Sequence, residues 1–112
     1  MSAQARINRE LLGDAELARL VARRDAAAVR LVTTRNNQRL FRGAWSILKN
    51  RHDAEDAVQA AYLKAFAAIR EFEGRSSLST WFTRIVINEA LMGQRAAKGR
   101  RERLESASEH PR

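Results

Sequence analysis

The chain contains no cysteine, one proline and five glycines, and each shortage removes a class of protein. Without thiols there is neither a disulfide scaffold nor a thiolate metal centre. His52 and His110 are the two imidazoles, far apart and without a carboxylate cage, so no metal and no other cofactor is expected. No apolar run approaches the roughly 18–20 residues that span a bilayer, and the N-terminus lacks the apolar centre of a secretory signal. A cytoplasmic protein without membrane insertion is predicted. No segment alternates long enough with β-branched residues to read as a strand. No nucleophile–base pair or carboxylate constellation suggests an enzyme.

Acid is scarce as well: 13 Asp and Glu stand against 21 Lys and Arg, a formal charge of +8 with a pI near 11.3. Such an excess steers association with a polyanion or an acidic protein, and nucleic acid is the leading candidate. What is abundant is Ala, Leu, Arg and Glu, all favourable in helices. With 45% hydrophobic residues in 112, the chain has material for one modest core. The expected fold is all-α, a compact bundle of about four helices.

Residues 1–13 show no sustained period and read as a mobile lead-in; 14–99 read as the helical domain and 100–112 as a basic tail or linker. A first helix is expected from Asp14, whose carboxylate would cap it, with Leu17, Leu20 and Val21 facing inward. The second spans 26–49, its apolar stripe running through Val29, Val32, Leu40, Phe41, Ala44, Trp45 and Leu48, with Arg35, Arg39 and Arg42 mostly outside it. A tight connection at 50–52 predicts an antiparallel third helix over 53–72, capped by Asp53 and facing the core with Val58, Tyr62, Ala65, Phe66, Ile69 and Phe72. The fourth begins between Ser77 and Thr80, after a polar loop at Gly74, and runs to Lys98, where Gly99 interrupts it. Its apolar positions are Leu78, Phe82, Ile85, Leu91 and Met92, whereas Arg84 and Asn88, four apart, share another face.

Several of these residues admit two readings. Asp53, Glu55 and Asp56, with Gln59 one turn on, are either ordinary first-turn acids or an acidic patch for a protein partner. Trp81 either supports the loop from beneath or stacks on an unpaired base, while Phe82 reads as core. Asn88, costly within a helix, is either a buried amide bonded to a neighbouring helix or a reader of a base edge. Arg95, Lys98, Arg100, Arg101 and Arg103 are either a solvated tail or a track for phosphates.

Phe72-Glu-Gly-Arg-Ser-Ser-Leu-Ser-Thr-Trp-Phe-Thr-Arg-Ile-Val-Ile-Asn88 resembles the promoter-recognition segment of extracytoplasmic-function sigma factors, the specificity subunits of bacterial RNA polymerase. The upstream Asp53-Ala-Glu-Asp-Ala-Val-Gln-Ala-Ala-Tyr-Leu-Lys-Ala-Phe66 is similar to the segment with which that family grips the polymerase clamp. Together the two cover most of region 2, residues 14–103. The resemblance implies that Asp53, Glu55, Asp56 and Gln59 meet the clamp helices of the largest subunit of core RNA polymerase. It also implies that Arg75, Ser76, Ser77, Ser79, Thr80, Trp81, Arg84 and Asn88 bind the non-template strand of the promoter −10 element, with Arg95, Lys98, Arg100 and Arg101 beyond them. An anti-sigma factor is a further implied partner, and a sigma-like mimic that binds such a factor without touching a promoter is the alternative reading. Met92 stands where the family often has an aspartate, which puts the polar network around Asn88 in question. The family's −35-reading domain has no counterpart in this sequence.

Overall fold

Three of the four helix starts are set by polar side chains that take up an N–H group the first turn leaves open. The structure, a computed structural model, describes residues 9–108; positions 1–8 of the expected lead-in and 109–112 of the expected tail lie outside the described residues. After a 3-10 turn at Arg9–Leu11 come α1 (Asp14–Ala22), α2 (Ala26–Leu48), α3 (Arg51–Ala68), a 3-10 turn at Ile69–Glu71 and α4 (Leu78–Ser108), and no strand occurs among the described residues. Residue 9 is not part of a loose lead-in: the Arg9 guanidinium bonds both carboxylate oxygens of Asp25, at 2.6 and 3.0 Å. Asp25 in turn caps α2 by accepting from the Ala28 N–H at 2.9 Å. Together these bonds hold the Asp25 carboxyl below the ordinary carboxylate range, the guanidinium contributing most.

Two expected caps are corrected. Asn50, not Asp53, caps α3: its side chain accepts from the Asp53 N–H at 2.9 Å, so the helix begins two residues earlier than predicted. Asp14 does not cap its own helix, whose N-cap Gly13 offers no side-chain bond; its carboxylate reaches the Leu78 N–H at 2.8 Å instead. Lys49 closes the turn into α3 in the left-handed region (φ 56°), its N–H bonded to the Trp45 carbonyl.

The core is a set of four-residue steps. Val32, Leu40 and Ala44 of α2 meet Ala54, Ala57, Ala61 and Ala65 of α3 and Leu78, Phe82, Val86 and Ala90 of α4, with Leu17, Ala18 and Val21 of α1 closing one end. The third helix therefore turns alanines, not aromatics, to the centre. Val58, Tyr62, Phe66 and Phe72, expected there, are half-buried on its flank, and Leu91 and Met92, expected inside, are exposed. Methyl-sized side chains let α3 approach closely, leaving Phe82 to fill the middle with Tyr62 and Phe66 edge-on at 6.0 and 6.3 Å. The Tyr62 hydroxyl donates within reach of the Thr33 carbonyl (3.2 Å) and Asn37 Oδ1 (2.6 Å), and burial pushes it up to about 12.

One buried polar side chain had no signal in the sequence. Asn36 lies in the α2 stripe, 3% exposed, its amide donating to the Val32 carbonyl at 2.8 Å while its Oδ1 has no protein partner.

Helices α2 and α4 run parallel: Gly43 lies against Val86 and Ile87, Leu48 against Gly93, and the Ile47 carbonyl accepts from Gln94 at 3.3 Å. Beyond that point α4 continues unbroken through Gly99 to Ser108, so neither the expected interruption nor a linker at 100–108 is present. A 31-residue helix is roughly 46 Å long at 1.5 Å per residue. Glycine weakens a helix by about 1 kcal/mol relative to alanine. That is too little to stop one flanked by Ala, Lys, Arg, Glu and Leu.

Candidate nucleic-acid and protein interfaces

The loop at 72–77 enters α4 through Ser77. Its carbonyl accepts from the Trp81 N–H and its Oγ from the Thr80 N–H, both at 3.0 Å, which makes it the cap of α4. Ser77 also donates to Thr80 Oγ1 at 2.9 Å, and Ser76 donates to the Ser77 carbonyl at 3.1 Å. Ser79 is half-buried, its carbonyl accepting from Thr83 Oγ1 at 2.7 Å. Gly74 supplies the left-handed conformation (φ 78°) that the loop needs. Arg75 is exposed and pairs with Glu73 at 3.2 Å.

Two adjoining clefts follow from this geometry. The smaller, about 160 Å³, lies under the loop between Phe72, Gly74, Arg75, Ser76, Trp81 and Arg84. For scale, a cavity of about 150 Å³ holds one benzene ring. Trp81 forms one wall, half-buried and held edge-on to Phe72 at 5.7 Å and tilted on Phe82 at 5.6 Å. It is thus a loop support whose ring borders the cleft, while Phe82 is core, 1% exposed. The larger cleft, about 390 Å³, is lined by Arg39, Thr80, Thr83, Arg84, Ile87 and Asn88. Asn88 is exposed and its amide makes no hydrogen bond among the described residues, which rules out the reading of a buried amide bonded to a neighbouring helix. Its donor and acceptor are both available. Arg39 was missed as a site residue: in sequence it falls outside the apolar stripe of α2 like any solvated arginine, and only the parallel packing of α2 on α4 brings it to Asn88.

The basic residues farther along α4 do not act as one group. At 100° per residue, Arg84, Asn88, Arg95 and Lys98 fall within about 80° of one another, whereas Arg100 points about 160° from Arg84. Arg100 instead borders a groove of about 360 Å³ on the other side of the helix, with Asp53, Asp56, Glu89, Leu48 and Met92 at its edges and Ala57, Ala60, Gly93, Ala96 and Ala97 as its floor. This groove is the open end of the antiparallel α3–α4 seam, closed at its far end by the Lys64–Glu89 ion pair at 2.5 Å. Asp53, Glu55, Asp56 and Gln59 are all exposed. Glu55 pairs with Arg51 at 3.3 Å and His52 lies 3.4 Å from Asp56, contacts worth little at such exposure. Met92 lines this groove and not the Asn88 cleft.

An all-helical domain with acid around one groove and base around a cleft on the opposite side of the same helix is the class that fold and sites define. Residues 32–100 match the family described as Sigma-70 region 2. The chain belongs to that family, in its extracytoplasmic-function branch. It is 34% identical over 92 residues to an ECF RNA polymerase sigma-E factor of Haemophilus influenzae, covering 82% of this chain and 48% of that protein. To an RNA polymerase sigma-H factor of Pseudomonas aeruginosa it is 32% identical over 88 residues, 79% of this chain and 45% of the relative. Over 52 residues it is 50% identical to the ECF RNA polymerase sigma factor SigG of Mycobacterium tuberculosis, 46% of this chain and 13% of the relative. The chain thus spans half or less of the length of these relatives. No solved structure matches it significantly. Among the described residues no helix is long and apolar enough to cross a membrane.

Proposed function

We propose that the chain acts in transcription initiation, binding core RNA polymerase with its acidic side and capturing an unpaired base of the −10 non-template strand with its basic side. The relatives are named RNA polymerase sigma factors, which supports the general role. The observation that carries the base-capture reading is Asn88: an exposed amide with unspent donor and acceptor, in a cleft flanked by Arg39 and Arg84 and adjoining the loop cavity. Arginines hold phosphates, which position a strand but carry no sequence information; an amide reads a base edge. Extruding a base costs a few kcal/mol, offset by stacking and edge contacts that a paired base cannot make. On the other side, Asp53, Glu55, Asp56 and Gln59 would meet the clamp helices of the polymerase, with Glu89 and Met92 as neighbours in the same groove. No chemistry is required of the protein, and the family is one of transcription factors, not of enzymes.

The test pairs a pull-down on core polymerase with titration of single-stranded oligonucleotides varied across the −10 site. Asn88→Ala should lose roughly 1–3 kcal/mol of discrimination at one base position, with little change in binding to a scrambled strand. Because the side chain is exposed, Tm should move by no more than about 0.5 kcal/mol equivalent. A chain that binds polymerase but no −10 strand would be the sigma-like mimic that answers to an anti-sigma factor.

A further inference from the structure

The bond from Asp14 to Leu78 joins residues 64 apart in the chain and lands on the first N–H of the helix that carries Trp81, Arg84 and Asn88. A cap such as Ser77 normally satisfies the second or third N–H of a helix, as it does here at Thr80, and leaves the first to water. Leu78 is 3% exposed, so its N–H sits where water has little access and an unpaired donor would be costly. The partner is the first residue of α1, whose carboxylate makes this bond instead of capping its own helix.

We infer that Asp14 is a positioning residue for base capture: its carboxylate fastens α1 to the start of α4 and so fixes the downstream end of the capture loop. The loop between Phe72 and Leu78 has few anchors of its own. Its internal bonds are the exposed Arg75–Glu73 pair and the short Ser76 contact to the next carbonyl, and Gly74 gives it freedom. Its order therefore depends on its two ends: the Phe72–Trp81 edge contact at one, and at the other the Ser77 cap on α4 together with the Asp14–Leu78 bond, which ties that end to α1. The same bond places a carboxylate at the positive end of α4, where a strand phosphate would otherwise be attracted. Phosphates are left to Arg39 and Arg84, and the loop cavity is left to a base.

This inference rests on the base-capture reading, and the experiment separates the two. The wild-type 112-residue chain, Asp14→Ala, Asp14→Asn and Glu16→Ala are compared below their melting temperatures for binding to short single-stranded DNA varied at each −10 position and to oligo-dT. Asp14→Ala should lose roughly tenfold in preference for the favoured strand while binding to oligo-dT changes by less than about twofold. Asp14→Asn, which keeps an acceptor, should restore most of the preference, and Glu16→Ala, an exposed acid on the same helix, should match wild type. Exchange of the Leu78 amide should quicken about tenfold in Asp14→Ala. Unchanged preference and unchanged exchange in a folded Asp14→Ala overturn the inference. A Tm loss with preference intact does so too, by making the bond merely structural, as does an equal rise in affinity for all strands, by making the effect one of charge alone. A wild type without any sequence preference overturns the base-capture reading, and this inference with it.

Discussion

The two halves of α4 have the same backbone and opposite reasons for it. From Leu78 to Ala90 every fourth residue is buried, and α2 and α3 hold the helix on two sides. From Arg95 to Ala107 the side chains are exposed except for partial cover at Ala97 and Gly99. The first half is a helix because packing leaves it no alternative; the second is one because its residues prefer it. In the proposed function Asn88, the amide that would read a base, lies on the packed half beside Arg84, whereas Arg95 and Lys98 extend the same face along the bare half. Discrimination among bases needs side chains held in place, whereas attraction of a polyanion tolerates a mobile support.

The comparison can be broken hardest at Phe82. Replacing it with alanine empties the centre of the bundle and should cost about 3–5 kcal/mol, visible as a large fall in Tm and in loss of strand discrimination. A proline in place of Gly99 should do the reverse. It costs about 3 kcal/mol of helix locally, removing far-ultraviolet helical signal from the distal half while the cooperative melting of the bundle stays where it was. If the bundle melts earlier, the distal half is packed after all.

A finer test separates the arginines by direction. Neutralising Arg95 and Lys98 should flatten the slope of log K against log salt for single-stranded DNA by roughly 1.4, two contacts at about 0.7 each. Arg100→Gln should leave that slope alone and, if it acts at all, alter polymerase binding. Equal effects from both would put the whole tail back into one undirected basic group.

The smallest effect is absent at neutral pH. Burial raises the Tyr62 hydroxyl to about 12, so the protonated form is favoured by folding. Its stabilising contribution is fully present below the ordinary tyrosine value of about 10 and is lost as pH rises through 12. Tyr62 is the single tyrosine, so tyrosinate absorbance reports it alone, and its midpoint should fall near 12 in the folded chain and near 10 in denaturant. The packed half of α4 should loosen with that step, through the edge contact with Phe82.

Much of the fold was legible because helical periodicity is local. The second helix was read to within a residue, and Phe82 was placed in the core from its spacing alone. Part of what was misread depended on partners distant in the chain, and part on choices that spacing alone does not make. Asp14 and Asp53 look like caps, but one serves a helix 64 residues away and the other is itself capped by Asn50, a choice between two good capping residues three apart that spacing does not make. On α3 large apolar residues drew the eye, while close packing selected the alanines. Of the expected site residues, the loop, Trp81 and Arg84 line one cleft and Asn88 the adjoining one; Arg39 needed the parallel packing of α2, and Arg100 was grouped by charge although it points away from Arg84 around the helix.

Because α4 is one uninterrupted rod, it also behaves as a shaft with a fixed phase. A single residue inserted between Leu91 and Met92 would turn everything beyond it by about 100°. Arg95 and Lys98 would then swing off the side of Asn88, and the floor of the groove would rotate away from Asp53 and Asp56, although no side chain in either site had been replaced. An insertion of seven residues would return the faces to within about 20° of their setting, but nearly two pitches farther along the axis. Length variation in this segment is therefore filtered by angle before it is filtered by chemistry.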